Sequence, residues 1–377
     1  MTQAKLKAGI VGGGAGAFIG AVHRIAAELD GQAEIVAGAL SSDPQRAKVS
    51  AAEWGLARAY DTYADMADAE FARDDGIDFV IIAAPNHLHA DIACTFLERD
   101  VPVICDKPLA STLADAQRIE ACAQSSQRLF ALTQTYTGYP MIRAAREFVV
   151  NGGLGELRTA HVEYQQDWLM TPLEQAGNKQ AVWRTDPTKA GESCCVGDIG
   201  THAFNLLEFV AAQRVEAVAA QLSTFVEGRS LDDDASMLLR LERNARGTLV
   251  CSQVACGEEN NLRIRLYGSA AGLEWAQQEP NTLWIKQAGA PWARWRAGQD
   301  YIPGTSQGAL RIPAGHPEGY LEAFANIYLD FMADVRRVQQ GNEPMINYPS
   351  VDDGLRGLQF VAAALNSSNQ GSVWVEM

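Results

Sequence analysis

The stretch VGDIGTHAF, residues 196–204, sets Asp198 and His202 four positions apart. On a helix, residues i and i+4 share one face, so a carboxylate and an imidazole would point the same way. An imidazole with its ordinary pKa of about 6.5 can take a proton at neutral pH. The carboxylate beside it can accept from a hydroxyl or pair with a cation. A packed histidine next to a helix-capping aspartate has the same spacing. The spacing alone favours that plainer reading, so the choice rests on what else the chain offers a ligand.

Upstream, GIVGGGAGAFIG follows an apolar run and opens a helical pattern. Gly12, Gly14 and Ala17 satisfy a GxGxxA spacing; a second frame, Gly14, Gly16 and Ile19, fits less well. A tight turn without Cβ atoms lets the backbone approach a pyrophosphate, and the following helix N-terminus supplies free N–H groups. Gly12, Gly14, Ala15, Ala17, Phe18 and Ile19 are therefore expected at a dinucleotide. The second strand ends GALSSDPQR, where NAD binding calls for an acidic residue. Ser41 and Ser42, with Arg46 a turn later, can seat a 2′-phosphate, which leans slightly to NADP. Serines also bond a 2′-hydroxyl, so NAD or NADP stays open. Asp43 reads as a helix cap. A third motif, VPVICDKPLA, puts Asp106, Lys107 and Pro108 directly after a buried strand. Ligands of open parallel sheets sit beyond the strands' carboxyl ends, so Lys107 is expected near the cofactor's reactive end.

These groups need a frame. LKAGIVGG, AEIVAGAL, IDFVIIAAP, VPVICDKP and RLFALTQTY read as strands. Helical spacing is expected at 18–29, Pro44–Trp54, 87–99 and 112–125. The third strand is apolar without alternation, hence buried on both faces. Alternating strands and helices predict a doubly wound parallel Rossmann sheet over 1–136. From 137 to 377, β-rich segments separated by turn signals predict an α+β domain on a large, mostly antiparallel open sheet. Helices interrupt it at 201–212 and near the end, where GYLEAFANIYLDFMADVRRVQQ is strongly amphipathic.

With 377 residues, 47% hydrophobic and 20% charged, the chain suits two folded domains. A net charge of -15 and the lack of a basic stripe argue against nucleic acid. No apolar run is long enough for a bilayer, and no signal peptide is read at the start. Seven scattered cysteines argue against a disulfide framework and for a reducing, cytoplasmic setting. His87 and His89 lack a third ligand, so no metal is expected. LDDDAS, 231–236, reads as a solvated turn, with a metal site as the minor alternative.

The order Asp106-Lys107-Pro108 after a strand, APNHLHADIA before it and Asp198-x-x-x-His202 after it resembles the Gfo/Idh/MocA oxidoreductase family, named for glucose–fructose oxidoreductase and inositol dehydrogenase. The family's usual Glu-Lys-Pro appears here with Asp106. Trp183-Arg184 matches the family's Trp-Arg. The resemblance implies hydride exchange between a nicotinamide and a carbinol, with Lys107, Asp198 and His202 as the catalytic set. His202 would take the hydroxyl proton, Lys107 would favour the developing alkoxide, and Asp198 would hold a neighbouring hydroxyl or Lys107. It also implies cofactor contacts at Ala84, Pro85, Asn86, His89 and Asp106, and cofactor or substrate contacts at Tyr136.

Trp168, Trp183 and Arg184 suit a polyol pocket, since an aromatic face and a planar donor fork match a ring of hydroxyls; His316 is a further substrate candidate. Consecutive glycines ahead of the Asp-x-x-x-His segment are replaced here by Glu192, Ser193, Cys194 and Cys195, which reshapes the pocket floor. The expected substrate is a cyclic sugar or polyol such as an inositol, aldose or anhydrosugar. The alternatives are an NAD-using glycosidase on the same fold and a non-catalytic dinucleotide sensor. The open sheet predicts a homodimer or homotetramer packed through it.

Overall fold

A computed structural model describes residues 4–377. The chain forms two compact units. One runs to Gly138 and regains Tyr320–Leu355; the other holds Tyr139–Gly319 and Arg356–Met377. The first boundary falls two residues beyond the expected 136. The return of Tyr320–Leu355 to the first unit was not expected.

The first unit is built on β1 (Leu6–Gly12), β2 (Ala33–Ala39), β3 (Arg58–Ala59), β4 (Phe79–Ala83), β5 (Val103–Cys105) and β6 (Phe130–Leu132). They lie in the order β3-β2-β1-β4-β5-β6, every neighbouring pair parallel. This is the doubly wound arrangement that the strand–helix alternation predicts. All five side chains of β4 are buried, which is why its sequence shows no alternation. Burial of each of its large apolar side chains stabilises the fold by about 1.5–3 kcal/mol. The helix Pro44–Trp54 begins as expected: Asp43 Oδ1 accepts from Arg46 N at 2.9 Å, with proline in the first turn. A helix at Tyr63–Phe71, capped by Thr62, was not anticipated; only its Met66, Ala67 and Glu70 are buried, too sparse a stripe to announce it.

The helix Tyr320–Gln339 joins this unit through Phe324, Tyr328, Phe331, Met332 and Val335. They share one core with Leu6, Ile10, Phe79, Ile81 and the inner face of the helix Phe18–Glu28. Phe79 and Phe331 meet edge to face at 5.5 Å. Amphipathicity declares that such a helix has an apolar face, not which core receives it. Cys94, on His89–Leu97, and Cys122, on Leu113–Ser126, form a disulfide. A single bridge is no framework, but no pairing was expected, and the cysteine argument for a reducing compartment loses its support. The two residues are 28 apart in sequence and are joined only because their helices pack side by side.

The second unit carries β7 (Leu157–Gln165), β8 (Val215–Ser223), β9 (Asp234–Leu241), β10 (Arg246–Ser252), β11 (Asn261–Gly268), β12 (Ala271–Ala276), β13 (Thr282–Gln287), β14 (Ala293–Arg296) and β15 (Val375–Glu376). They form one sheet in the order β14-β13-β12-β11-β7-β10-β9-β8-β15. Neighbours are antiparallel except β7 and β10, which run parallel. The strands alternate as a one-sided sheet should, β9 reading half-buried, buried, exposed, buried, exposed, buried. Among the described residues, no helix is long and apolar enough to cross a membrane.

Candidate active site

Strand register lines up a row of groups at one rim of the parallel sheet. Gly12 pairs with Ala83, Ile82 with Cys105, and Cys105 with Leu132. The residues that follow, Ala84, Asp106 and Thr133, continue the row. Asp106 N donates to Ile82 O at 2.8 Å and Thr133 N to Cys105 O at 3.0 Å. The row lies where β1 is flanked by β2 on one side and β4 on the other, the point at which strand order reverses and open α/β sheets take ligands.

The glycine loop sits at the same point. Gly12 has φ +80°, and a Cβ there would lie 2.7 Å from Ala83 O. Any larger residue would push the loop off the strand beside it. Gly20, inside the helix, is needed for the opposite reason: its Cβ would fall 2.0 Å from Gly13 O, so the helix could not close on the loop. The loop is braced by Ser50, whose buried Oγ accepts from Ala15 N at 2.9 Å. The helix Phe18–Glu28 starts without a side-chain cap and without an acidic residue in its first turn. Its N–H groups and positive dipole end are thus available to an anion. A glycine cradle that a Cβ would fill, followed by an uncapped helix, fits a dinucleotide pyrophosphate.

In the second unit, β7 and β10 end at one rim because they are parallel, Gln165 pairing with Ser252. Gln166 N donates to Ser252 O at 2.8 Å and Leu169 N to Gln253 O at 3.0 Å. This places Trp168 after one strand and Gln253 after the other. The helix Lys179–Arg184, opened by Asn178, supplies Arg184. Asp198 Oδ2 accepts from Arg184 Nε at 3.1 Å and from Gln253 Nε2 at 2.9 Å. The Arg184 guanidinium lies 4.2 Å from the Trp183 ring centre and 5.7 Å from that of Trp168, within cation–π range. Asp198 is therefore a carboxylate held in one orientation by a cation that two indoles flank.

Asp198 does not sit in regular α-helix. Val196–Gly200 is a π-helical turn in which Thr201 N reaches back five residues to Val196 O. The α-helix Thr201–Ala211 then carries His202, which is nearly buried, with Tyr164 of β7 ring to ring at 6.3 Å. The i, i+4 expectation is modified accordingly: a widened turn separates the pair. Such turns recur at functional sites because they reorient one side chain without breaking the helix.

Residues 6–134 match an oxidoreductase family with an NAD-binding Rossmann fold, and 142–274 match the Gfo/Idh/MocA C-terminal domain. The uncharacterized oxidoreductase YfiI of Bacillus subtilis (strain 168) is 34% identical over 98% of this chain and 96% of its own. This chain belongs to the Gfo/Idh/MocA oxidoreductase family. Among solved structures, an oxidoreductase from Sinorhizobium meliloti superposes with TM-score 0.90 at 45% identity, covering 99% of this chain and all of the other. An inositol dehydrogenase homolog from Azotobacter vinelandii, complexed with NADH and myo-inositol, superposes with TM-score 0.91 at 33% identity over 99% and 98% of the two chains.

The first unit of this oxidoreductase is an NAD-binding Rossmann domain. The expected cofactor residues take different places in it. Gly12, Gly14, Ala15 and Ala17 form the loop, while Phe18 is 70% exposed and Ile19 packs against the core. Ser41 accepts from Asp43 N at 3.1 Å, and Ser42 and Arg46 are exposed. Pro85 is exposed and Ala84 and Asn86 are half-buried, in the turn after β4. His89 is fully buried. Its Nε2 lies 2.9 Å from Ala84 O and its Nδ1 3.0 Å from Pro108 O, so it stitches the loop after β4 to the Asp106-Lys107-Pro108 loop. Tyr136 is buried in the turn Thr135–Gly138. Lys107 is half-buried at the rim. His316 is exposed, its Nδ1 3.1 Å from Pro313 O in its own loop. Among the described residues, no group of three His, Cys, Asp or Glu could hold a metal ion.

The acidic run at 231–236 is not a solvated turn: Asp232 and Asp233 are buried. Asp232 accepts from Cys194 N at 2.9 Å and Val196 N at 2.8 Å, and so caps the segment that presents Asp198. Burial pushes the Asp232 carboxyl up, opposed by the Val196 and Cys194 backbone N–H groups and the Ser193 side chain. Asp233 accepts from Phe225 N and Val226 N and pairs with Arg229. Consecutive acidic residues look solvated in sequence, because the Asp232 donors come from 36 and 38 positions earlier and the Asp233 donors from a turn with no pattern of its own. Gln253 gave no sequence signal at all. Cys194 and Cys195 are buried, and burial pushes both thiols up; Cys194 packs beside Leu169, Ala181 and Leu231, and its Sγ donates to Gln253 Oε1 at 3.4 Å.

Proposed function

We propose that this oxidoreductase interconverts a secondary alcohol and a ketone on a cyclic sugar or polyol. The observation that carries the reading is Asp198, a carboxylate held by Arg184 and Gln253 and flanked through Arg184 by Trp168 and Trp183. That set of acceptor, planar donor and aromatic faces matches a ring bearing several hydroxyls. A relative crystallised with NADH and myo-inositol supports the same substrate class.

The loop Gly12–Ala17 would hold the pyrophosphate. Ser41, Ser42 and Arg46 would face the adenosine ribose, and Ala84, Pro85, Asn86 and Asp106 the other half of the dinucleotide. Bound NAD or NADP supplies the acceptor for the carbinol hydride. His202 takes the hydroxyl proton, the Lys107 ammonium favours negative charge on the carbinol oxygen, and Asp198 orients the adjoining hydroxyl. Tyr136, Trp183, Arg184 and His316 would bound the ring.

A panel of inositols, aldoses and anhydrosugars, run with each dinucleotide and followed by reduced-nicotinamide absorbance, tests the proposal. At least one cyclic polyol should turn over with kcat/KM above about 10⁴ M⁻¹s⁻¹, an ordinary value for an enzyme on its own substrate. Cleavage of glycosides without net absorbance change, or no turnover across the panel, would overturn it.

We also propose that the outer face of the nine-stranded sheet pairs two copies of the chain. Leu238 is 55% exposed there and Tyr267 37%, beside Glu163 and Arg265, which pair with each other at 3.4 Å. Light scattering should give a multiple of 40.8 kDa; Leu238→Arg should lower the mass, and a monomer in the unaltered protein would refute the pairing.

A further inference from the structure

Behind the rim of the first unit lies a buried polar chain that the proposed chemistry does not use. His23 stands on the inner face of the helix Phe18–Glu28, between the buried Val22 and Ala26. Its side chain is wholly buried. Tyr328, fully buried on the helix Tyr320–Gln339, lies with its hydroxyl 2.6 Å from His23 Nδ1. The Phe324 ring packs edge-on against the imidazole at 4.9 Å. On the far side, His23 Nε2 faces Asp106 Oδ1 at 3.4 Å. Thr133 Oγ1 donates to that same oxygen at 3.1 Å.

An imidazole and a phenol in an otherwise apolar core cost desolvation that phenylalanine at both positions would not. Their polar ends need a target, and the chain of contacts ends on the carboxylate next to Lys107. The proton inventory sets the direction. Burial, then the nearby Asp106 and Cys105, push the Tyr328 phenol far up, so it keeps its proton and donates it to Nδ1. With the Tyr328 hydroxyl donating to Nδ1, the ring turns its Nε2–H toward Asp106.

We infer that His23, backed by Tyr328, is a positioning residue for the proposed reaction: it keeps Asp106 a carboxylate in one orientation and thereby places the adjoining Lys107. This rests on the reading of Lys107 as the cation of the site. The titratable groups facing Asp106 are His23, Lys107, His89, Cys105 and Tyr328. Burial alone would raise the Asp106 carboxyl; His23, with Lys107 and His89, outweighs it and holds the group below its usual range. Removing His23 leaves burial less opposed. Asp106 then takes up its proton at higher pH, and acid-side losses begin earlier.

The test uses the full chain carrying [γ-¹³C]aspartate, with Asp106 assigned through Asp106→Asn. His23→Phe should raise the Asp106 titration midpoint by about one unit, a tenfold change in proton affinity. His23→Gln, which keeps an N–H where Nε2 was, should stay near the unaltered value. The pH profile of kcat/KM should follow: in His23→Phe, activity at pH 8 stays within about threefold, and the acid limb moves up by about one unit. Tyr328→Phe should shift the midpoint in the same direction by less, and serves where His23→Phe folds poorly. An unchanged Asp106 midpoint in both variants, an equal loss at every pH, or a His23→Gln that behaves as His23→Phe would overturn the inference. The NMR midpoint needs no substrate, so it is separate from the reading of Lys107. Full activity in Lys107→Ala would sink that reading and leave the midpoint shift standing.

Discussion

Lys107→Ala should lower kcat/KM by about 10²–10³-fold, the usual cost of removing one group that stabilises a developing oxyanion. Lys107 stands at the carboxyl rim of the parallel sheet, two residues beyond the Ile82–Cys105 pair, and on the proposed reading a single ammonium there would act on charge that grows only as the carbinol proton departs. Its loss should therefore fall on kcat more than on KM. NADH affinity, measured by fluorescence titration, should stay within about threefold, because the cradle at Gly12 and the open helix end are elsewhere on the same rim. Lys107→Arg should recover only part of the activity, since a planar fork cannot replace a compact point charge. Near-normal turnover in Lys107→Ala would remove the mechanism, and equal loss of NADH binding would turn Lys107 into a cofactor residue.

On the proposed reading, His202→Gln should lower kcat/KM by about 10²–10⁴-fold, the usual contribution of a positioned general base. His202 is nearly buried, so glutamine, which keeps size and polarity, is preferred to alanine, and a melting curve checks that the helix Thr201–Ala211 survives. The deficit should narrow as pH rises, because hydroxide then does part of the work of the missing base. A deficit that is constant with pH, or a drop confined to KM, would mean that His202 binds rather than moves a proton. Of the two losses, this one tests the second unit and the Lys107 loss tests the first, so together they ask whether both units serve one reaction.

Much of the nucleotide unit was readable. Its strands are short apolar runs punctuated by glycine, proline and capping residues, and each signal lies within a few residues of the element it controls. The Asp43 cap and the helix Pro44–Trp54 are an example: donor, acceptor and proline sit within four positions. The glycine loop was legible for the same reason, although its Gly12, Gly14, Ala17 frame overlooked Gly20, whose role depends on how closely the helix meets Gly13.

The contacts that orient the site were not readable. Asp198 is held by Gln253 from 55 positions later, and its turn by Asp232 from 36 later. His23 and Tyr328 are separated by 305 residues. None of these partners carries a periodic or spaced signature, because a hydrogen bond between distant segments leaves no pattern in either one.

The sequence by itself determined the types of chemical group, the alternation of elements and the family, all of which are encoded in short windows. Only the tertiary structure decided that the late amphipathic helix belongs to the first core, that an acidic run is buried, and that Asp198 lies in a π-turn under an arginine. The physical reason is that an apolar face or a charged side chain specifies that it must be partnered, while the choice of partner is set by packing the whole chain at once.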